Sequence, residues 1–154
     1  MDLQDYIIEK RALGCTINDY KGSESIIEIP SHFNGNLIEN IGDYAFSVNK
    51  TVKQVIVPSG IKHIGFYAFG ACSNLEIIVI PNTIKEIDSS AFSGCNNLKQ
   101  IIFRGTKKQW DKIDSYEDYI KSAFRDKIVF TPESELSSFI NDISANLNKE
   151  LDNK

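Results

Sequence analysis

Apolar residues along this chain recur with a step far longer than the two-residue alternation of a strand or the 3.6-residue turn of a helix. Three Ala-Phe pairs, Ala45-Phe46, Ala68-Phe69 and Ala91-Phe92, stand at equal intervals of about 23 residues, a period that marks stacked coils. The same step links Ile41, Ile64 and Ile87; Val52, Leu75 and Leu98; Val55, Ile78 and Ile101; Pro58 and Pro81; and Cys72 and Cys95. Chance does not place so many columns in one register. In the clearest copy, Ile64 to Glu86, the run Leu75–Ile80 predicts a short strand that Pro81 stops, because proline has no N–H for a ladder. One coil cannot bury its apolar side chains alone. Stacked coils can, each residue packing on its counterpart above and below. Phe46, Phe69 and Phe92 then form a phenylalanine column, with Ala45, Ala68 and Ala91 small where coils approach.

The flanks break the cadence. Residues 5–30 carry β-prone runs around Ile7-Ile8 and Cys15-Thr16-Ile17 and a turn at Lys21-Gly22-Ser23, which predict an N-terminal β-cap. The connection Ser31–Asn40 is longer than its counterpart Ser59–His63, so the first coil bulges at Phe33-Asn34-Gly35-Asn36. Thr106 suits the N-cap of a short helix through Trp110, and Lys127–Phe130 reads as a closing strand. After Pro132, Leu136, Ile140, Ile143, Leu147 and Leu151 recur at steps of three or four, with Phe139 beside them. That is one apolar face of a helix, with Ser134 as a candidate N-cap. The helix either packs on the solenoid as part of a cap, pairs with a second copy or a partner, or frays. Residues 1–131 are read as the repeat domain with its caps, its clear repeats at 41–105, and residues 132–154 as the amphipathic C-terminal helix.

The segment "IGFYAFGACSNLEIIVIPNTIKEIDSSAFSGCNNLKQIIF" resembles the BspA-like, or Treponema-type, leucine-rich repeat of bacterial and some protist proteins. The Ala-Phe, Cys-x-x-Leu and Ile-x-Ile-Pro elements carry the likeness over about residues 25–105. "CTINDYKGSESIIEIPSHFNGNLIENIGDYAF" resembles the family's opening hairpin, and "FRGTKKQW" its closing segment. The resemblance implies an α/β repeat: a right-handed solenoid with short parallel strands lining a concave face, a β-hairpin N-terminal cap and a helical C-terminal segment. It also implies adhesion, host-protein binding or cell association. Relatives of this type are often exported and longer, whereas three repeats are clear here and no signal peptide is seen, so a cytoplasmic location is expected over a secreted or cell-surface one.

Composition narrows the function. A formal charge of −4 and a pI near 5.2 lack the basic excess of a nucleic-acid-binding surface. No apolar run reaches the length of a membrane span. Neither histidine has metal-ligand company: His32 falls in the first turn, and His63 shares a column with Glu86. No nucleophile elbow, phosphate loop or dinucleotide fingerprint occurs, so no cofactor, metal or catalytic residue is expected. Cys72 and Cys95 fall in matching columns on adjacent coils, where either free buried thiols or a disulfide is conceivable.

A surface remains. By analogy with the family, the first, fourth and sixth positions of Leu-x-x-Ile-x-Ile point inward. The others face out: Lys53, Gln54 and Ile56 in one coil, Glu76, Ile77 and Val79 in the next, Lys99, Gln100 and Ile102 in the third. Ile56, Val79 and Ile102 would make an exposed β-branched stripe headed by Glu28, a candidate binding face. The expected function is a non-enzymatic protein-binding module acting through the concave strand face or the C-terminal helix (Leu136, Phe139, Ile140, Ile143, Leu147, Leu151). The alternatives are an intracellular inhibitor of phage or mobile-element type, and a structural unit that homodimerises through that helix.

Overall fold

Each coil folds into two strands joined by turns. A computed structural model describes residues 3–115, 119–131 and 135–152. The chain opens with an antiparallel hairpin, β1 (Tyr6–Arg11) and β2 (Gly14–Tyr20), followed by β3 (Ile26–Glu28), β4 (His32–Phe33) and β5 (Asn36–Ile41). The central coils add β6 (Gln54–Ile56), β7 (His63–Ile64), β8 (Ile77–Pro81), β9 (Glu86–Ile87) and β10 (Gln100–Arg104). Then come α1 (Lys107–Trp110), α2 (Tyr119–Ala123), β11 (Ile128–Phe130) and α3 (Leu136–Asp152). Among the described residues the coils contain no α-helix; a 3-10 turn, Leu3–Asp5, precedes the hairpin, and α-helix begins only with α1.

Two sheets run along the stack. The first has the order β1-β2-β5-β7-β9, with β4 paired to β5; the second has the order β11-β10-β8-β6-β3 and is parallel throughout. In the second sheet Ile27, Val55, Ile78, Ile101 and Ile128 share one register position. In the first, Ile17, Ile41, Ile64 and Ile87 do the same. These two rows face each other across the core, and all but the half-buried Ile128 are enclosed. The strand expected at Leu75–Ile80 begins two residues later, because Leu75 instead closes a turn on the Cys72 carbonyl, and it takes in Pro81 as its last residue, where the expectation had Pro81 just outside it.

The phenylalanine column lies at the turn between the sheets. Phe46 and Phe69 stack with centroids 5.0 Å apart and planes at 15°, and Phe69 and Phe92 at 5.8 Å and 16°. Tyr20 lies over Phe46 at 5.2 Å, and Phe124 meets Phe92 edge-on at 6.0 Å, so aromatic rings close both ends. At this turn alternate amides point to the next coil: Tyr44, Phe46 and Val48 donate to the carbonyls of Phe66, Ala68 and Gly70. Phe69 and Ala71 repeat the pattern to Ala91 and Ser93. Aligning amides this way holds Tyr44, Val48, Tyr67 and Ala71 at positive φ, between 52° and 61°. The column of Val48 and Ala71 ends in Gly94, the residue suited to that conformation. Val48 is β-branched, sits at φ 61° and is 58% exposed, so its side chain strains the turn while contributing little packing. Replacing Val48 with Gly should raise stability by about 1 kcal/mol, read as a higher urea midpoint; an unchanged or lower midpoint would mean the turn carries no strain.

The ends follow local chemistry. Asn34 and Gly35, at φ 49° and 76°, form the two-residue tip between β4 and β5, as a type I′ hairpin requires. Thr106 caps α1 through a reciprocal box with Gln109. Trp110 packs edge-on against Phe103 at 5.2 Å, and β11 continues the second sheet beside β10.

Candidate functional site

Alternation along β6, β8 and β10 leaves two outward rows on the second sheet. One row is Ile26, Gln54, Ile77 and Gln100; the other is Glu28, Ile56, Val79, Ile102 and Val129. The second row is apolar over four of its five strands. Lys53, Glu76 and Lys99 precede the strands, and Lys99 pairs with Glu76 at 2.7 Å.

The expectation that Ile56, Val79 and Ile102 form an exposed stripe is corrected here. Val79 and Ile102 are 0% exposed, Ile77 is 9% exposed, and Ile56 is half-buried. α3 lies on this face: Ile140 packs against the cluster of Ile77, Val79 and Ile102, together with Ile56 and Val129. The cause is the hydrophobic effect acting within one chain, since an amphipathic helix and an apolar sheet face each remove surface from water by meeting. Glu135, Ser137, Ser138, Asn141, Asp142, Ala145, Asn146, Asn148 and Lys149 are exposed on the other side of the helix. Leu136, Phe139, Ile143, Leu147 and Leu151 have their backbone in α3, but their side chains lie outside the described residues, as does Ser134.

Gln54 stands apart in this face. Its side chain is completely enclosed, and neither Nε2 nor Oε1 has a hydrogen-bond partner. A buried amide left unpaired costs about 1–3 kcal/mol for each unmet group. Sequence reading placed Gln54 outward and therefore in water; instead it is enclosed beside its register partner Ile77, a member of the cluster on which Ile140 packs.

An aromatic corner was missed by sequence reading. Tyr44, Phe66 and Tyr67 pack on one another with centroids 5.4 to 6.2 Å apart, and Tyr44 and Phe66 remain 54% and 44% exposed. The available signal was Tyr44 and Tyr67 at the repeat spacing, each just before an Ala-Phe pair. Asp43 fixes the corner by accepting the Phe66 amide at 2.8 Å.

The outward side of the first sheet is polar. Asn40 donates to Thr16 at 3.3 Å, and His63 Nδ1 lies 3.3 Å from a Glu86 carboxylate oxygen, as their shared column implies. Among the described residues no three metal-ligating side chains cluster, and no helix is long and apolar enough to cross a membrane.

Cys15, Cys72 and Cys95 are free and buried. The Cys72 and Cys95 thiols donate to the carbonyls of Phe46 and Phe69 at 3.1 and 3.0 Å, bonding one coil to the previous one. Burial pushes Cys72 up to about 12, with the neighbouring Cys95 adding to the effect, and burial pushes Cys95 up to about 11. A thiol whose folded pKa is raised favours the folded state below its unfolded pKa, and that contribution fades as pH climbs through the folded value. Stability should therefore fall between about pH 9 and pH 12. At pH 8 none of the three thiols should react with Ellman's reagent until denaturant is added; rapid labelling of native protein would place them at the surface.

The comparisons with known proteins agree with this geometry. Residues 14–125 match the BspA type leucine rich repeat region in six copies. The crystal structure of the T. pallidum leucine rich repeat protein is similar with a TM-score of 0.64 and 24% identity, over 67% of this chain and 52% of that one. A leucine-rich repeat protein from Bacteroides capillosus gives 0.67 and 20%, over 85% of this chain and 97% of that one. One from Bacteroides ovatus gives 0.51 and 32%, over 63% and 27%. The chain thus spans about half the length of the Treponema protein. No curated protein is matched by the sequence. Leucine-rich repeats of this kind generally mediate protein interactions. With its repeats matched across most of the chain and its parallel sheets shared with bacterial proteins of that type, this chain belongs to the BspA-type leucine-rich-repeat family.

Proposed function

We propose that this chain is a non-enzymatic protein-binding module that works through the outward face of its second sheet, which a partner reaches by displacing α3. The observation that carries this reading is the apolar row Ile56, Val79, Ile102 and Val129 on a regular parallel sheet, which already accommodates one amphipathic helix, α3. A sheet face that takes one helix of the chain offers the same packing to a helix of another protein. Electrostatics leave the choice of partner to shape and apolar contact, because the net charge of −4 is mild.

The test is site-specific photocrosslinking in cells that produce the protein. A photoreactive residue at Gln100, on the edge of the face, should give discrete adducts that one at Glu86, on the polar side of the first sheet, does not. The same adducts from both positions, or from Glu86 alone, would defeat the proposal. The aromatic corner of Tyr44, Phe66 and Tyr67 supports a second reading, in which the partner docks there. Adducts confined to a reporter at Tyr44 would favour it.

A further inference from the structure

Among the described residues of the outward face, Gln54 is the one whose chemistry the chain leaves unanswered. Both atoms of its amide are enclosed and unpaired. Elsewhere the Tyr20 and Ser115 hydroxyls are also enclosed without a partner, while the Cys72 and Cys95 thiols reach carbonyls; Gln54 differs in having both a donor atom and an acceptor atom unmet, and in lying on the outward face. α3 does not lack matching groups in its sequence, because it carries Asn141, Asn146 and Asn148. All three are exposed to solvent on its outer side. The chain's own helix therefore satisfies the apolar part of the face through Ile140 and leaves the polar part unmet.

We infer that α3 is a stand-in, and that the face around Gln54, Ile77, Val79 and Ile102 is shaped for an amphipathic helix of another protein that carries an Asn or Gln on its apolar side. The requirement is specific. Gln54 offers one donor group and one acceptor, and a second carboxamide meets them with two straight bonds from two atoms; a single hydroxyl oxygen can reach both only through bent bonds, and an aliphatic group meets neither. An unpaired buried amide makes α3 easier to displace, and pairing it adds affinity and selectivity to the incoming helix. A second copy of this chain would not serve, since its α3 would leave Gln54 as unpaired as the first. This inference rests on the docking face proposed above and adds the identity of the group that recognises the partner.

The test uses the full chain and synthetic peptides of residues 135–152, in the native sequence and with a single Gln at 136, 139, 140, 143, 147 or 151. Binding is followed by fluorescence anisotropy, and displacement by amide exchange of the chain's own α3. At least one Gln-bearing peptide should bind tenfold or more tightly than the native peptide and speed α3 exchange. That advantage should shrink to twofold or less on Q54L, and on Q54M in case the leucine perturbs folding. If every peptide that displaces α3 binds equally, the face is a docking site but Gln54 does not select its occupant, and the inference fails alone. If no peptide displaces α3, the inference falls together with the docking reading beneath it. An advantage that persists in both variants also overturns it.

Discussion

Phe69→Ala should cost about 3–5 kcal/mol, the range for removing a large aromatic from a packed core. Phe69 is fully enclosed and is the middle ring of the column, stacked on Phe46 at 5.0 Å and on Phe92 at 5.8 Å. In a solenoid each coil is stabilised chiefly by its two neighbours, so a void in the middle coil weakens both interfaces at once. Domains of this size are typically stable by only about 5–15 kcal/mol, which makes such a loss a large share of the whole. Urea unfolding of purified variants measures it. Phe66→Ala, three residues away and half exposed, should by contrast stay within about 1 kcal/mol of the parent. Equal losses for the two variants would mean that the stacked column contributes nothing beyond ordinary aromatic burial.

Ile140→Asp should detach α3 and leave the coils folded. A carboxylate pressed against Ile77, Val79 and Ile102 would lose its water with no cation in that apolar cluster to meet it, which favours the undocked helix. A 17-residue helix is marginal in water by itself, so undocking and melting should coincide. α3 supplies 17 α-helical residues, against 4 in α1 and 5 in α2. The helical signal at about 222 nm should therefore drop by about two thirds, and a dye that binds apolar surface should brighten on the uncovered face. The coil core, which shares no buried residue with this outer cluster, should still unfold cooperatively. A variant that keeps its full helical signal would show that α3 forms without help from the sheet.

The repeat was legible in sequence because each inward position is constrained by an identical position above and below. Ile41, Ile64 and Ile87 could be placed in the core before any coordinates, as could the Ala-Phe pairs and the two matched thiols. In the first sheet the cap strands β1 and β2 were legible from their β-prone runs, whereas β7 and β9 were not, since they are two residues long and leave no periodic pattern. The left-handed residues were hidden too. Of the column 48, 71 and 94, only Gly94 advertises its conformation, while Val48 and Ala71 adopt it to keep the amide ladder between coils.

The outward face shows a different limit. The sequence contains an apolar sheet row and an apolar helix face, and the pattern of each is the same whether it meets water, a partner or the other. Ile140 against Val79 is a contact between positions far apart in the chain, and no local rule selects it. Gln54 lies beside Ile77 of the same cluster, and its burial was equally out of reach.

The stacked column has a bearing on how this molecule can change in size. Phe69 sees the same surroundings on both sides, a phenylalanine one coil before and one coil after, while Tyr6 and Tyr20 mark where the series starts and Phe124 where it stops. The interior therefore has something like the translational symmetry of a crystal, with both boundaries at fixed surfaces. A tandem duplication of Ile64–Glu86 would add a layer that fits its neighbours without altering either boundary, whereas a shorter or longer insertion would put every later column out of phase. Growth by whole coils is thus the step open to this architecture, and each added coil would widen the second sheet by one more strand.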